Sequence, residues 1–532
     1  MFNMDVEEMP IHHLKENLTK EEIEEVILYR RHDVMATFKL LELTLGLDIN
    51  VPELSFYIGK NKIEDRLNII EETGMKCLNW NDVKIGEEWN KLDYMKEENI
   101  SNERDLFPKK IIYPFGKKFK QYFPKSTNFQ TDNLKNFIED FGNQYIKNEK
   151  QEFKVKIGST TYTVAKGGLH STEKHRKIIV EDGYRYDDQD IGSQYPNSIV
   201  KLGICPPHLK KTIFRQYSEK IEKRIKFKKL SKETKGEESK KYGSIQEMLK
   251  LALNGGYYGK LGQKGSFLEY PEGMLKVSIA NQIEILMLIE SLELEGFNVL
   301  SGNTDGISVY YSENKRNRFK EICKEWEEKI GNDIMGKLEE TPFRTVWQES
   351  INHYIALKED GSIKKKGRFS TDFELNKNKS MRIIPLALEA YFVRGENPIE
   401  YIKNHKNIYD FCVGVKTSGK MYYEEEWKDG DQIKVRTHKK LVVFYISNEG
   451  NILYKRGLNY KGKPINNHVN APTELGQPKI TYFNRKFKAD NYNIDYNHYI
   501  LITLKRIDEI EKTKKAKDFV DSCIPSKQLS IW

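Results

Sequence analysis

Hydrophobic and polar residues follow two different periods along this chain. Apolar residues at helical spacing occur in residues 18–45, 209–232, 243–262, 275–296 and 495–513. The alternating pattern of strands occurs in residues 153–199, 298–311 and 351–369. Residues 381–409 favour helix, residues 440–457 a strand pair, and residues 48–150 give few clear indications. Without an internal repeat, this order predicts an α+β fold, with hairpin loops on an antiparallel sheet, an inserted helical hairpin and a helical C-terminal region.

The length of the chain predicts several compact units. A single hydrophobic core stops growing at about 250–300 residues, and this chain has 532, so two to four compact units are expected. Lys and Arg total 88 against 79 Asp and Glu, and this net charge of +9 suits a polyanionic partner if it is clustered. The 30 Tyr and 25 Phe can stack on bases or fill cores.

The cysteine and hydropathy patterns predict in which cellular compartment the protein resides. The five cysteines are scattered and show no zinc-ligand spacing, which predicts a reducing compartment and no disulfide framework. No apolar run reaches the roughly 18 residues that span a bilayer, and the first ten residues are acidic, unlike a signal peptide. We expect a soluble, cytoplasmic protein without a membrane partner.

The stretch "NVLSGNTDGISVYY", residues 298–311, reads as a tight β-hairpin. Turn chemistry alone explains every residue in it, and a catalytic role for Asp305 would require a partner carboxylate elsewhere in the sequence. Asp190 is a candidate, because it ends an alternating stretch in "YDDQDIGSQYPNSI". Carboxylates on neighbouring strands can hold two magnesium ions about 3.5–4 Å apart.

A third polar segment, "LKLALNGGYYGKLG", lies between these two in residues 249–262. At 100° per residue, Lys250, Asn254 and Tyr257 share one stripe of a helix. A lysine beside an aromatic ring can seat the triphosphate and base of a nucleotide, although a solvated helix face has the same pattern.

The order of the three segments resembles that of the B-family DNA polymerases. "DIGSQYP" is similar to the family's Asp-x-x-Ser-Leu-Tyr-Pro, "KLALNGGYYG" to Lys-x-x-x-Asn-x-x-Tyr-Gly, and "GNTDG" to Asp-Thr-Asp-Ser. The resemblance implies that Asp190 and Asp305 bind two Mg²⁺ ions, for which Mn²⁺ can substitute, together with the carbonyl of Ile191. Tyr195 would lie under the sugar of the incoming dNTP and exclude a 2′-hydroxyl.

The remaining nucleotide contacts are also implied by the resemblance. Lys250 would meet the triphosphate, Asn254 and an adjacent tyrosine would pack on the nucleotide, and Arg224 with Lys228 would bind phosphate. One extra residue between Asn254 and Gly259 leaves the aromatic role open; the two candidates are Tyr257 and Tyr258. Two further departures are Asn303, in place of the first Asp of the third motif, and Gly306, in place of Ser, which favours the turn.

Other segments suggest contacts with primer-template DNA. "KGGLH" resembles the Gly-Gly element of some phage members and would let template phosphate approach Gly167 and Gly168. "NHY" puts Tyr354 at the primer terminus, with Asn352 in place of the family's Lys. "KKKGRF" could hold primer phosphates; its candidates are Lys364, Lys366 and Arg368.

The N-terminal helix contains Tyr29 and Asp33, which resemble the third motif of the family's 3′–5′ exonuclease. Asp5 and Glu7 have the letters of the first motif but no preceding strand. We therefore expect that most of the exonuclease domain is absent and that this is the C-terminal portion of a longer, phage-like polymerase. A separate exonuclease fragment is a possible partner.

The resemblance implies a right-hand architecture with a palm, fingers and a mostly helical thumb. The expected divisions are an exonuclease remnant (1–47), a connecting region (48–165), palm (166–207), fingers (208–264), palm (265–375) and thumb (376–532). The expected activity is template-directed DNA synthesis from a primer, without proofreading. The alternatives are a non-catalytic DNA-binding subunit of a split polymerase and an RNA-making enzyme, which the bulky Tyr195 disfavours.

Overall fold

The computed structural model describes residues 17–45, 60–78, 80–148, 150–331, 336–371, 380–416, 421–438, 441–458, 464–470, 478–482 and 492–511. Its α-helices are α1 (Lys20–Leu45), α2 (Lys60–Thr73), α3 (Asp82–Glu98), α4 (Asp132–Asn143), α5 (Gln194–Lys201), α6 (Thr212–Glu233), α7 (Gly236–Leu253), α8 (Pro271–Leu294), α9 (Arg316–Ile330), α10 (Ile383–Arg394), α11 (Pro398–Asn404) and α12 (Tyr496–Glu511). A π-helical turn, Asn254–Tyr258, and a last helical turn, Gly259–Leu261, continue α7.

The strands belong to two antiparallel sheets. The first ten are β1 (Glu152–Ile157), β2 (Thr160–Ala165), β3 (Gly168–Ser171), β4 (Lys174–Ile179), β5 (Tyr184–Ile191), β6 (Asn298–Asn303), β7 (Gly306–Ser312), β8 (Leu338–Ser350), β9 (His353–Lys358) and β10 (Ile363–Lys366). The others are β11 (Val413–Lys416), β12 (Met421–Asp429), β13 (Gln432–His438), β14 (Leu441–Leu458), β15 (Pro464–Asn470) and β16 (Lys479–Tyr482).

The first sheet brings distant parts of the chain together. Its order is β1-β2-β3-β6-β7-β5-β8-β9-β10, and β4 pairs with β8. Strand β5 therefore lies between the hairpin β6–β7 and the long strand β8, and all three pairs are antiparallel. The mixture of helices with antiparallel sheets confirms the predicted α+β class.

Helix α8 packs across this sheet and forms its main core. Pro271 occupies the first turn, where its missing amide hydrogen costs nothing, and most of the residues that follow are buried. Ile283 and Leu286 of α8 join Val299 and Val309 of the hairpin β6–β7 in one apolar cluster. The helix thereby supports the hairpin from below.

The helical hairpin α6–α7 forms a second core with the preceding part of the chain. Tyr217 of α6 packs with Leu253 and Tyr257, and Trp89 of α3 packs with Leu249 of α7. Residues 48–150 gave few indications in the sequence, yet they hold α2, α3 and α4. Their periodicity is weak because α2 and α3 are rich in charged residues and bury only part of their surface.

Most of the predicted helices are confirmed. Thr19 and Glu22 form a reciprocal capping box at the start of α1, with backbone-to-side-chain distances of 3.0 and 3.2 Å. The prediction for the second helix of the hairpin began too late, because α7 starts at Gly236 inside the charged segment. Lys, Glu and Ser cost little on an exposed helix surface.

The C-terminal predictions need two corrections. Residues 440–457 are not a strand pair, because β14 continues through them as one strand, with a bulge opposite β16 between Ile446 and Asn451. The expectation of a mostly helical region after residue 376 is wrong for the described residues, which include the six-stranded second sheet, order β11-β14-β12-β13 with β15 and β16 on β14. The two-residue turn Gly430-Asp431 between β12 and β13 carried an unused hairpin signal.

Two expectations concern thiols and membrane spans. The described cysteines, Cys77, Cys205, Cys323 and Cys412, are free thiols, and Cys523 lies outside the described residues. Within the described ranges, no helix has the length and apolar character needed to cross a membrane.

Candidate active site

Asp190 and Asp305 lie next to each other at one end of the first sheet. Asp190 is the penultimate residue of β5, and its partner on β7 is Gly306. Asp305 precedes Gly306 in the turn between β6 and β7, and its carbonyl oxygen accepts a hydrogen bond from the Ile191 amide at 2.7 Å. Both aspartates are exposed. The structure thus places Asp190 at the end of β5 and Asp305 in the adjacent turn before β7, and both are exposed to solvent.

The turn that carries Asp305 is bonded on several sides. The Asn303 side chain accepts a hydrogen bond from the Asp305 amide at 3.0 Å, which is an Asx turn. Thr304 is buried; its hydroxyl accepts from the Leu169 amide at 2.8 Å, and its carbonyl accepts from the Gln194 side chain at 2.6 Å. Strand β3 and helix α5 therefore both fix the position of this turn.

Glycines near the turn have a packing reason. A Cβ on Gly306 would lie 2.7 Å from the Gln189 carbonyl oxygen and 2.9 Å from Asp190 Oδ1. Because the φ of Gly306 is not positive, close approach to β5 requires this glycine, and the predicted turn preference does not. A Cβ on Gly168, whose φ is +151°, would lie 2.3 Å from Thr304 Oγ1, whereas Gly167 faces open space.

Lys364 pairs with carboxylates of the site. Its Nζ lies 2.7 Å from Asp188 Oδ2 and 3.2 Å from Asp190 Oδ2. The Ser308 hydroxyl donates to the other Asp188 oxygen at 2.7 Å. Burial raises the pKa of Asp188, and the Lys364 ammonium acts in the opposite direction. Burial lowers the pKa of Lys364, but the two aspartates outweigh it and hold that pKa above its ordinary value. Lys364, expected at primer phosphates, thus faces the carboxylates here.

Sequence reasoning missed three titratable residues around the aspartates. Asp188 was hidden in an acidic strand end, and Glu339 of β8 is the partner of Asp190 on the other side of β5. His170 of β3 is opposite Asn303; desolvation lowers the pKa of His170, and Asp305 acts in the opposite direction. The strand pairing that brings these residues together spans more than a hundred residues of sequence, and no local signal marks it.

The oxygen donors present suit a hard cation. Asp190 and Asp305 offer carboxylates, and the Ile191 carbonyl is adjacent, which are the ligand types that Mg²⁺ prefers. The hydrogen bonds on the 303–305 turn and the close approach at Gly306 hold both aspartates at the same end of the sheet. Among the described residues, no group of three or more His, Cys, Asp or Glu side chains is arranged to hold a metal ion. Any ion here would therefore need oxygens from water or substrate to complete its coordination.

Two aromatic rings stack beside the aspartates. Tyr195, in the first turn of α5, lies 4.3 Å from Tyr258 between ring centroids, at an interplanar angle of 25°. Tyr257 is fully buried, and its hydroxyl donates to the Ile204 carbonyl at 3.3 Å. Its ring packs against Tyr217 with centroids 4.2 Å apart. Tyr257 is thus a core residue, and Tyr258 is the ring next to Tyr195.

The extra residue after Asn254 is accommodated by the π-helical turn. Inserting one residue into an α-helix typically produces such a turn. The predicted stripe of Lys250, Asn254 and Tyr257 is wrong in its last member, because Lys250 is exposed and Tyr257 has no exposed surface. Lys250 pairs with Glu247 at 3.2 Å. Asn254 Oδ1 is buried and accepts no hydrogen bond from the described residues.

The basic residues of α6 contact the end of the sheet where Asp190 lies. Arg224 donates to the Ser193 hydroxyl at 2.7 Å, and burial lowers the pKa of its guanidinium. Lys228 lies 3.3 Å from Glu339. Lys228 therefore contacts the strand partner of Asp190, which is Glu339. Arg224 bonds Ser193, which lies three positions after Asp190 in the sequence.

The remaining sequence candidates lie in two places. Tyr354 of β9 is buried opposite Lys366 of β10, and both line a cleft that also contains Asp188, Asp190 and Asn303. Arg368 is exposed and pairs with Glu349 at 2.9 Å. Tyr29 and Asp33 are in α1, more than 150 residues before Asp190 in the sequence, and Tyr29 is half-buried whereas Asp33 is exposed. Asp5 and Glu7 lie outside the described residues.

Comparison with known proteins gives a likeness to solved structures and none to known sequences. No protein-family model matches the chain, and no curated protein matches it. The chain is similar to the family B DNA polymerase from the hyperthermophilic archaeon Pyrobaculum calidifontis, with 14% identity and a TM-score of 0.41. The match covers 92% of this chain and 57% of the archaeal one, so this chain spans little more than half the length of that polymerase. A function for this chain has to come from the residues of its own site.

Proposed function

We propose that this protein is a template-directed DNA polymerase that adds dNTPs to the 3′-hydroxyl of a primer. The observation that supports this most is the pair Asp190 and Asp305, exposed side by side, the first at the end of β5 and the second in the turn before β7. Phosphoryl transfer needs little from a protein beyond positioning and electrostatic stabilisation. A carboxylate pair next to stacked aromatic rings and basic side chains meets both needs.

Each group around the carboxylates then has a task. Asp190, Asp305 and the Ile191 carbonyl would hold magnesium, with Mn²⁺ as a substitute. When bound, two such ions activate the primer hydroxyl and stabilise the leaving pyrophosphate. Arg224, Lys228 and Lys250 would bind the triphosphate, although Arg224 and Lys228 must first exchange their contacts with Ser193 and Glu339. Asn254, whose side-chain oxygen is buried and accepts no hydrogen bond from the described residues, would pack on the nucleotide.

The stacked tyrosines would select the nucleotide. Tyr195 would lie under the deoxyribose, where its ring leaves no room for a 2′-hydroxyl. Tyr258, whose ring stacks on Tyr195, would pack on the nucleotide, and the buried Tyr257 would not. Replacing Tyr195 by alanine is expected to increase incorporation of rNTPs relative to dNTPs.

Primer-template DNA would run across the same edge of the sheet. The proposed contacts are Gly167, Gly168, Tyr354, Lys364, Lys366 and Arg368, and Lys364 would have to leave its aspartates to reach a phosphate. In this reading residues 166–207 and 265–375 form the palm, residues 208–264 the fingers, and the thumb begins near residue 376. Tyr29 and Asp33 alone do not make a proofreading site, so we expect no 3′–5′ degradation. We place the activity in the cytoplasm.

Primer extension tests the proposal. The purified wild type with Mg²⁺ should extend a primed template, whereas Asp190→Ala and Asp305→Ala should abolish extension and retain DNA binding. Asn303→Asp should keep the activity, because it preserves the acceptor for the Asp305 amide. Asp182→Ala, an exposed aspartate before β5, is the matched control and should leave extension unchanged.

The outcomes separate this proposal from its alternatives. DNA binding by the wild type without incorporation of any nucleotide would refute the polymerase and favour a non-catalytic subunit of a split polymerase. Incorporation of rNTPs in preference to dNTPs would favour an RNA-making enzyme.

A further inference from the structure

The π-helical turn that contains Tyr258 is held by a residue outside every motif. Asn90 of α3 is buried, and its side-chain amide donates to the Ala252 carbonyl at 3.0 Å and to the Gly256 carbonyl at 3.2 Å. A π-turn departs from the regular hydrogen-bond ladder of an α-helix, so buried carbonyls just before and within it need partners from elsewhere. Asn90 bonds one of each, the Ala252 carbonyl near the end of α7 and the Gly256 carbonyl in the turn.

Backbone contact between the two helices is close at the same point. A Cβ on Gly256 would lie 2.3 Å from the Gly86 carbonyl carbon and 2.7 Å from the Glu87 nitrogen. A Cβ on Gly86 would lie 2.8 Å from the Ala252 Cα. Only glycine fits at positions 86 and 256 in this arrangement, so α3 approaches the π-turn backbone to backbone.

Further polar contacts fix the register of α3 on the turn. Glu87 pairs with Lys260 at 2.5 Å and accepts a hydrogen bond from the Ser266 hydroxyl at 2.8 Å. From the other side, the Tyr217 hydroxyl donates to the Leu253 carbonyl at 3.3 Å. The residues just before, within and just after the π-turn are therefore all bound by side chains from other helices.

We propose that Asn90 is a positioning residue for the nucleotide site. By holding the π-turn, it keeps Tyr258 on the Tyr195 side and leaves Tyr257 in the core. If the turn relaxed to a regular helix, the residues after the insertion would rotate by about 100°, which is the step of one residue. This inference rests on the proposed function, since it assigns the geometry that lets Tyr258 meet the nucleotide.

Two variants of the same chemistry test the role of Asn90. Asn90→Leu removes the two hydrogen bonds to the turn and keeps the side-chain volume close to that of the amide. Gln216→Leu is the matched control, because Gln216 is also a buried amide at the α3 interface, yet it donates to the Asp93 carbonyl and Glu97, away from the turn. Both variants lose two buried hydrogen bonds of α3, which join it to α7 and the π-turn in one case and to α6 in the other, so general destabilisation is common to them.

The first measurement needs no activity. Amide hydrogen exchange at residues 254–259 should become at least about tenfold faster in Asn90→Leu than in Gln216→Leu, because only the former frees carbonyls of this turn. Exchange at these residues that is equal in the two variants would overturn the inference.

The second measurement is steady-state primer extension. Asn90→Leu should raise the KM for dNTP about tenfold with a change in kcat of less than about threefold, because it weakens nucleotide binding and leaves Asp190 and Asp305 in place. Tyr258→Ala should raise KM on its own but add little to Asn90→Leu, since both changes remove the same stacked ring. A rise of KM in Gln216→Leu equal to that in Asn90→Leu would overturn the positioning role.

A failure of the proposed function would look different. If the wild type incorporated no dNTP, the polymerase proposal and the nucleotide role of Asn90 would both be refuted, even with a selective change in exchange. If the wild type were active and Asn90→Leu kept its KM, only the inference about Asn90 would be refuted.

Discussion

Replacing Lys364 by methionine should loosen the strand pair β9–β10 in the absence of divalent ions. Lys364 is the cation between Asp188 and Asp190, and methionine keeps most of its apolar stem without the charge. After the change, the buried Asp188 would retain the Ser308 hydroxyl as its hydrogen-bond donor. A buried carboxylate that loses its cation is destabilised, because neither water nor an opposite charge compensates its desolvation.

The structure sets the size of the effect. Removing one partner of a fully buried ion pair costs about 3–5 kcal/mol. The Asp188 side chain is 12% exposed, but that of Lys364 is 28% exposed and that of Asp190 is 52% exposed, so solvent screens part of the interaction. We therefore expect a loss of about 2 kcal/mol, which is about a 30-fold change in the local opening equilibrium.

Amide hydrogen exchange of residues 354–366, at pH 7 with EDTA, measures this loss locally. A local measurement is needed because a chain of this size does not unfold in one two-state step. The double variant Asp188→Leu/Lys364→Met should recover most of the loss, since an apolar pair of similar volume replaces the ionic one.

Lys358→Met is the control, because it removes the same charge from the same hairpin. Among the described residues, the ion pairs of Asp188 and Asp190 are with Lys364 and not with Lys358. Exchange that rises less than about threefold in Lys364→Met, or equally in Lys358→Met, would refute the reasoning.

Three other changes test separate parts of the structure. Gly306→Ala should reduce primer extension by about 100-fold or more, because its Cβ would displace Asp190, and unchanged extension would contradict the close approach. Asp410→Asn should lower the free energy of local opening around Asp410 by about 1–3 kcal/mol at pH 7. Although burial opposes the charge of Asp410, hydrogen bonds from His405 and Arg382 outweigh it and lower its pKa. The stabilisation is therefore present above the unfolded pKa of about 3.9 and is lost as the pH falls through the lower folded pKa. Amide hydrogen exchange of residues 405–413 at pH 7 and pH 3, relative to the wild type at the same pH, checks this, and an equal difference at both would contradict it. Tyr257→Phe should cost about 1 kcal/mol and leave the KM for dNTP unchanged, whereas an increased KM would return Tyr257 to the nucleotide site.

Local patterns made Asp190 a candidate partner for Asp305, and the order of the three motifs then led us to expect the pair. One ends an alternating strand, the other lies in a hairpin turn, and antiparallel pairing of two buried strands leaves few registers. The observed register joins Asp190 to Gly306, one residue from the expected partner. The helical hairpin and α8 were also readable, because their apolar residues repeat over five or more turns.

Contacts between distant segments were not readable. Lys364 is 174 residues from Asp190, and a lysine in "KKKGRF" has the composition of any solvated basic hairpin. The extra residue in the second motif was visible, but its accommodation depends on Asn90, 162 residues before Ala252, on a helix with no marked periodicity. Which tyrosine faces Tyr195 was therefore undecidable from the motif alone.

The bonds on Thr304 also restrict where this chain can change its length. Turns between strands are where proteins most often accept insertions, because the backbone there is exposed and bonded to little else. The turn at Gly361 fits that description, since a Cβ on this glycine would meet open space. The 303–305 turn does not, because β3 and α5 both bond it. Insertions and engineered tags should therefore be tolerated in the other loops and not here, where the bonds from β3 and α5 fix the distance from Asp305 to β5.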